Sequence, residues 1–239
     1  MNIKVGVSGR HVHLSREDAA TLFGNDYKLE PERYLSIPTQ FIAKERLIVK
    51  GPKGTMENVA IIAPEREITQ VEMSKTDCVK LGINPPIRLS GDIKGSGSVR
   101  VIGSQGELLL KDGLIIAMRH IHMTTEDAKK LEFAHKDYAM VVVKGERSLV
   151  FDFVVIRVDA SNTHTELHLD TDEANTANLK TGDEVELLHI NDKKLRLEQL
   201  ISMFGEQQLS SLVESVTSII KEEKKRVGSM EKLLKVLKS

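Results

Sequence analysis

Six side chains of this sequence share one local context and could together bind metal ions. A seven-residue motif occurs four times, and its first position is always histidine or glutamate, whose side chains are metal ligands. The four copies are His13–Ala19, Glu72–Cys78, His122–Ala128 and His168–Ala174. Two copies carry a second histidine two residues earlier. The motif therefore gives six candidate ligands, which are His11, His13, Glu72, His120, His122 and His168.

The two His-x-His pairs have a spacing that suits a shared ion. Residues i and i+2 of a strand point to the same face, about 6.6–6.8 Å apart along the backbone. Five imidazoles and one carboxylate favour zinc, ahead of cobalt, nickel or iron. Six ligands exceed the three or four of one tetrahedral ion and suit two neighbouring ions, each with an open position. The histidines outside the pattern, His135, His164 and His189, are predicted to be surface or loop residues.

The remaining motif positions predict how these ligands are held. Position three is always Ser, Thr or Asp, and position six is always Asp or Glu. This is a helix N-cap followed by an acid in the first turn, so each copy predicts a strand-to-helix junction. Position one precedes the cap and ends the strand, which gives a ligand a rigid setting. Capping requires no histidine at position one, so we assign the repeated histidines to chemistry.

Short strands and brief helices recur along most of the chain. Runs rich in Val, Ile and Leu, such as Leu108–Leu110 and Leu114–Met118, predict separate strands bounded by Gly, Pro and Asn turn signals. A doubly wound parallel sheet would need longer, more regular helices. The pattern instead predicts an α+β, mainly β fold of small β-barrels capped by short helices.

Composition changes near Asn191. The segment from Lys193 onward has no proline and shows helical periodicity, with one apolar stripe running from Leu209 to Ile220. We therefore predict a C-terminal helical extension over residues 191–239. It could pack on the barrels, mediate self-association or partner binding, or lie on a membrane surface.

Overall composition excludes several functional classes. The chain has 239 residues, a formal charge of −1 and nine aromatic side chains without tryptophan, which does not favour nucleic-acid binding. The single cysteine, Cys78, excludes an internal disulfide and is interpreted as a small buried hydrophobe rather than a nucleophile. No basic-then-apolar leader and no apolar run of membrane-spanning length occur, so a cytosolic protein is expected.

The combined motifs resemble a known enzyme family. The segments that carry the resemblance are Gly6–Ser15, Thr69–Glu72, Ser90–Asp92, Arg119–Thr124 and Leu167–Asn175. They are similar to the metal-dependent phosphotransacylases of the propanediol-utilisation (PduL) type, also called phosphate propanoyltransferases. The resemblance covers Met1 to about Ile190 and leaves out the predicted helical extension.

Membership of that family would imply a fold, an activity and site residues. The fold would be two β-barrels with a two-zinc site, one barrel formed by residues 1–9 with 118–190 and the other by residues 10–117. The activity would be exchange of a short acyl group between coenzyme A and phosphate. The family's metal ligands carry over to the six positions above. Arg66 resembles the family's phosphate-binding arginine, and Ser90 resembles a second phosphate contact.

The resemblance also bears on location. Family members that enter bacterial microcompartments usually carry an N-terminal extension, whereas here the first predicted strand begins at Ile3. The cytoplasm is therefore the expected location. A microcompartment lumen would require the C-terminal helices to act as the targeting segment.

Three functions fit these residues. A phosphotransacylase would use two ions and Arg66 to bring phosphate to a thioester carbonyl, and direct transfer is favoured because no Ser-His-Asp set is evident. A zinc-dependent thioesterase or other metallohydrolase would instead activate water with the same ligands. A non-catalytic metal-binding module would hold its ions with no open coordination position, and Arg66 would have no role near them. The sequence does not identify the residues that contact coenzyme A.

Overall fold

Strands and short helices alternate along the chain, as the motif predicts. The computed structural model describes residues 1–37, 39–188 and 221. Within these ranges the helices are α1 (Arg16–Phe23), α2 (Lys75–Leu81), α3 (Thr125–Lys130) and α4 (Thr171–Thr176). The strands are β1 (Asn2–Ser8), β2 (His11–His13), β3 (Pro31–Tyr34), β4 (Phe41–Lys50), β5 (Thr55–Ala63), β6 (Gln70–Glu72), β7 (Ile87–Arg88), β8 (Gly97–Ile102), β9 (Glu107–Ala117), β10 (His120–Met123), β11 (Tyr138–Val143), β12 (Leu149–Val158), β13 (Glu166–Asp170) and β14 (Glu184–Leu188). The predicted extension over residues 191–239 lies outside the described residues apart from Lys221, so it stays a prediction.

Every motif copy forms a capped strand-to-helix junction, which confirms the prediction. In each copy the side chain at position three accepts a hydrogen bond from the backbone N–H of position six. The four caps are Ser15, Ser74, Thr124 and Asp170. Each cap satisfies one of the backbone donors that a helix N-terminus leaves free. The last residues of the preceding strand are therefore fixed on both sides.

The first barrel is closed by a strand from the opposite end of the chain. Its six strands follow the order β1-β13-β10-β12-β11-β14, and β1 pairs with both β13 and β14. Inward-facing apolar side chains fill it, including Val5, Ile121, Ile156 and Leu167. Strand alternation places these residues inside and leaves the intervening positions for the outer surface.

The second barrel is built from the intervening part of the chain. Its strands follow the order β4-β5-β2-β6-β9-β8, and the ring closes because β8 pairs with β4 as well as β9. Val12, Leu47, Ile61 and Leu114 belong to its separate core. The predicted mainly β fold with barrels is thus confirmed. Because each barrel has its own core, we propose that residues 1–9 with 118–190 and residues 10–117 are the two domains of this unit.

The two barrels repeat one pairing scheme. Strands β10 to β14 followed by β1 show the same parallel and antiparallel neighbours as β2, β4, β5, β6, β8 and β9. The register repeats as well, since His120 lies opposite His168 and His11 lies opposite Glu72. The seven-residue motif is therefore the part of the repeated barrel that can be recognised in the sequence.

One local prediction was wrong. The two strands expected at Leu108–Leu110 and Leu114–Met118 are one strand, β9. Strand β8 pairs along both segments, and a register shift between Gly97 and Val99 takes up the extra residues of β9. Gly113, which lies between the two predicted strands, is held within β9 by a hydrogen bond from its N–H to the Ser96 hydroxyl.

Strand β9 offers a matched test of the second core. Leu114 is fully buried, whereas Leu109 on the same strand is 57% exposed. We expect Leu114→Ala to lower the free energy of unfolding by about 2–5 kcal/mol, because it removes buried methyl groups and leaves a cavity. Leu109→Ala should cost less than about 1 kcal/mol. Denaturant unfolding of both variants measures the difference, and equal losses would contradict the inward placement of Leu114.

Candidate functional site

Three histidines of the first barrel form one potential ligand group. His120 and His122 project from β10 and His168 from the neighbouring β13. The Nε2 atoms of His120 and His122 are 3.1 Å apart. The ring centroid of His168 lies 5.3 Å from that of His120 and 4.7 Å from that of His122. These three side chains could hold one metal ion.

The second barrel contributes an equivalent group. His11 and His13 project from β2, and Glu72 projects from β6, the next strand. The Glu72 carboxylate oxygens lie 3.6 Å from His11 Nε2 and 3.8 Å from His13 Nε2. All three residues are buried. The six predicted ligands are thus brought together as two groups of three.

The backbone orients the imidazoles for metal binding. The Nδ1 atoms of His11, His13 and His120 lie 2.9, 3.1 and 2.9 Å from the carbonyl oxygens of Gly9, Ile62 and Met118. A carbonyl only accepts, so each Nδ1 carries the proton and each Nε2 presents its lone pair. Tetrahedral zinc with nitrogen ligands at about 2.0–2.1 Å separates two ligand atoms by roughly 3.3 Å. The observed separations of 3.1 to 3.8 Å fit that geometry.

Burial favours the uncharged form of three of the site's imidazoles. It is the main cause of the lowered pKa values of His13, His120 and His122, and repulsion from neighbouring histidines and from Arg157 adds to it. The pKa of His122 falls to about 3. A neutral imidazole is the form that binds a metal, so His13, His120 and His122 are in the ligating state at neutral pH.

One cavity of about 440 Å³ is lined by both groups and by Arg66 and Ser90. Arg66 Nη1 donates to Ser90 Oγ at 3.2 Å, and Ser90 Oγ donates to Glu72 Oε1 at 2.9 Å. Since a hydroxyl has one proton, Ser90 is occupied in linking Arg66 to Glu72. The structure therefore places Ser90 as an orienting residue, and its direct contact with phosphate stays a prediction.

Burial also acts on Arg66. It lowers the pKa of this guanidinium, and the charge of Glu72 partly offsets the effect. An arginine remains protonated at neutral pH even so. Arg66 is thus a fixed positive charge facing the cavity beside the glutamate of the second group.

Sequence reasoning missed two polar residues that belong to the site. Gln70 donates through Nε2 to Ser90 Oγ at 2.9 Å and to Glu72. Glu166 Oε2 lies 2.9 Å from His168 Nε2 and accepts from Ser36 Oγ at 2.7 Å. Burial raises the pKa of the Glu166 carboxyl, but its hydrogen bonds with His168 and Ser36 outweigh burial and bring the pKa to about 2.

Gln70 and Glu166 both stand two positions before a ligand, where the other two copies have His11 and His120. Comparing that position across the copies could have found them.

Two further residues were also missed. Ser36 belongs to the segment between β3 and β4 of the second barrel, yet it reaches Glu166 on β13 of the first. Arg157 on β12 lines the cavity and lies beside His122 in the sheet register. A single arginine within the apolar run Val154–Val158 was its only sequence signal.

Other single-residue predictions can be compared with the structure. Cys78 is fully buried in the second core, and burial, with a contribution from Asp77, raises the pKa of its thiol to about 11. This agrees with a packing role, because a thiol with so high a pKa is not a ready nucleophile. His135 and His164 are exposed, as predicted, and His189 lies outside the described residues. Within the part of the chain that is described, no helix is long and apolar enough to cross a membrane.

The chain is similar to proteins of one described family. A family model described as phosphate propanoyltransferase matches residues 4–180. A phosphate propanoyltransferase of Thermotoga maritima is 51% identical over 182 residues, covering 76% of this chain and 86% of the relative. Relatives of the same name from Clostridioides difficile and Listeria monocytogenes are 47% and 44% identical over 180 residues each, covering 75% of this chain and 86% and 84% of their own lengths.

These matches define the class first: the protein is an enzyme, an acyltransferase. The chain belongs to the phosphate propanoyltransferase family, which confirms the resemblance inferred from the motifs. Relatives with this name support phosphotransacylation as its reaction type.

The lowered histidine pKa values predict how pH affects the metal-free protein. Unfolding returns the pKa of His122 from about 3 toward 6.5, so between these values the unfolded state binds more protons. Stability should therefore fall as pH is lowered from 7.5 to 5, by up to about 1.4 kcal/mol per pH unit for each such histidine. Unfolding midpoints of the metal-free protein test this. His122→Gln should reduce the slope, whereas His135→Gln, at an exposed position, should leave it unchanged.

Proposed function

We propose that this protein transfers a short acyl group reversibly between coenzyme A and phosphate, with two metal ions as cofactors. The observation that carries the proposal is one cavity lined by two three-residue ligand groups and by Arg66. A phosphotransacylase must hold an anionic nucleophile next to a thioester, and this combination suits both needs. Acetyl and propanoyl are the preferred groups, in keeping with the name that the relatives carry.

The two ligand groups fit zinc best, with cobalt or another divalent transition metal as a substitute. His11, His13 and Glu72 would hold one ion, and His120, His122 and His168 the other. Three protein ligands leave an open position on a tetrahedral ion, which is the pattern of catalytic zinc. When bound, such ions polarise a carbonyl and lower the repulsion around phosphate.

The protein's own side chains would set the geometry of transfer. A phosphate oxygen attacks the thioester carbonyl carbon, the new C–O bond forms as the C–S bond breaks, and the thiolate of coenzyme A leaves. Arg66 is suited to hold the phosphate, because a guanidinium donates two parallel hydrogen bonds to phosphate oxygens. Ser90 and Gln70 fix Arg66 and the Glu72 carboxylate relative to one another. Holding reactants in line can lower the barrier by several kcal/mol.

Water is the competing nucleophile, and a metal-dependent thioesterase is the alternative function. Transfer to phosphate requires a cavity that limits access of bulk water. The segment Leu35–Ile37 lines the cavity and is tied across the barrels by the hydrogen bond between Ser36 and Glu166. Relatives named phosphate propanoyltransferase favour the transferase over the hydrolase. A non-catalytic metal-binding module would leave the cavity and its half-buried Arg66 without a role.

Phosphate dependence tests the proposed reaction. Release of free thiol from acetyl-CoA or propanoyl-CoA by the metal-loaded enzyme should require phosphate and should yield acyl phosphate. Arg66→Ala should lower phosphate use by about 30- to 1000-fold while acyl-CoA use changes much less, since it removes a charge-assisted contact of roughly 2–4 kcal/mol. Arg100→Ala, at an exposed pair with Glu107, is the control. Thiol release that does not depend on phosphate concentration would replace the transferase with the hydrolase.

Metal content tests the ligand assignment. Elemental analysis should find two transition-metal ions per chain, and chelation should abolish activity until zinc or cobalt is restored. Glu72→Gln should lower both metal content and activity as strongly as loss of a histidine, because an amide cannot neutralise ionic charge. Glu107→Gln changes an exposed glutamate and should alter neither. Active enzyme with less than one metal per chain would refute the assignment.

A further inference from the structure

Arg157 is, besides Arg66, an arginine of the cavity that both ligand groups line. It lies on β12 beside His122, in the register that also places Val155 beside His120. Its side chain lines the same cavity as Arg66 and Glu72. All six residues of the two ligand groups line that cavity too. Arg157 is therefore close to both halves of the site.

The guanidinium of Arg157 has no protein acceptor among the residues that the structure describes. Arg119, another partly buried arginine of this barrel, donates by contrast through all three of its guanidinium nitrogens. Its Nε and Nη2 donate to the Asp152 carbonyl oxygen and its Nη1 donates to Glu173 at 2.6 Å. A guanidinium carries five N–H donors, and those of Arg157 are not among the buried unpartnered atoms, so they are open to the cavity that Arg157 lines. They are therefore available to an acceptor from outside the chain.

The charges around the cavity identify the kind of acceptor. Four arginines line it, namely Arg10, Arg33, Arg66 and Arg157, against the two carboxylates of Glu72 and Glu166. Arg10 is paired with Asp77, and Glu166 is engaged by His168 and Ser36. Glu72 acts on both Arg66 and Arg157, and Asp159, which does not line the cavity, also acts on Arg157. With Arg10 paired, the remaining lining arginines exceed the two carboxylates by one charge, and bound divalent ions would add further positive charge, so the cavity would attract a multiply charged anion.

We propose that Arg157 and Arg66 bind the same reacting phosphoryl group from two sides, so that Arg157 is a second phosphate-binding residue of the transfer reaction. This inference rests on the proposed phosphotransacylase function. Each planar guanidinium can donate two parallel hydrogen bonds to phosphate oxygens. Two such forks, one from each barrel, would fix both the position and the rotation of phosphate, leaving one oxygen directed at the thioester carbonyl. The same contacts would hold the phosphoryl group of acyl phosphate in the reverse direction.

The test compares Arg157→Gln and Arg157→Lys with the metal-loaded wild type. Arg157→Gln should raise the KM for inorganic phosphate at least about tenfold and leave the KM for acyl-CoA within about threefold. Arg157→Lys keeps the charge but loses the fork, so its phosphate KM should lie between those of wild type and Arg157→Gln. Calorimetric titration with inorganic phosphate should show the same order of affinity. Arg100→Gln is the exposed control, and equal metal content and unfolding midpoints show that the variants are folded.

Each other outcome has a definite meaning. An unchanged phosphate KM and an unchanged phosphate affinity in Arg157→Gln would overturn the inference. So would a rise confined to the KM values of acyl-CoA and free coenzyme A, because Arg157 would then contact the phosphates of the cofactor. If wild type showed no phosphate-dependent transfer, the proposed function would fall. The calorimetric comparison would still decide the phosphate contact, supporting it if Arg157→Gln loses affinity and overturning it if affinity is kept.

Discussion

The capped strand-to-helix junction is the constraint on which the site depends. In each motif copy a short polar side chain binds the backbone N–H three residues on, so the turn after the strand has one geometry. The ligand before each cap is held on its other side by the sheet. Metal coordination tolerates displacements of only a few tenths of an ångström, and side chains on rigid elements meet that demand. Hydrogen bonds from Nδ1 of His11, His13 and His120 to carbonyl oxygens then fix the rings themselves.

Electrostatics explains why a site so rich in cationic residue types can be stable. Burial lowers the pKa values of His13, His120 and His122, so these imidazoles carry no charge at neutral pH. The fixed charges that line the cavity beside the ligands include those of Arg66, Arg157, Glu72 and Glu166. Divalent ions would add further positive charge. An arrangement of this kind is suited to hold a multiply charged anion and poorly suited to a neutral ligand.

Much of this arrangement could be predicted from the sequence because the chain contains an internal comparison. The four capped junctions predicted the ligands, and the short strands with brief helices predicted small barrels. Gln70 and Glu166 were not predicted, because the position two residues before the ligand was not compared across all four copies. In two copies that position holds His11 or His120, and in the other two it holds Gln70 or Glu166. Ser36 could not have been found, since its contact with Glu166 joins residues 130 positions apart through the packing of two barrels. The single strand β9 depends likewise on its partner β8, which pairs across the apparent break.

The repeated barrel separates structural arginines from functional ones. Arg10 and Arg119 occupy equivalent positions before the His-x-His pairs, and each binds the acid at position six of another copy, Asp77 or Glu173. A contact present in both halves is explained by the shared fold. Arg66 and Arg157 have no such counterpart: Asn162 stands six residues before His168, as Arg66 stands before Glu72, and Ile62 follows Ile61 as Arg157 follows Ile156 in the sheet register. Two arginines that depart from the repeat, one in each half, and face the same cavity require a cause outside the fold. Binding of a single anion by both barrels would explain these arginines, because it requires one arginine from each barrel.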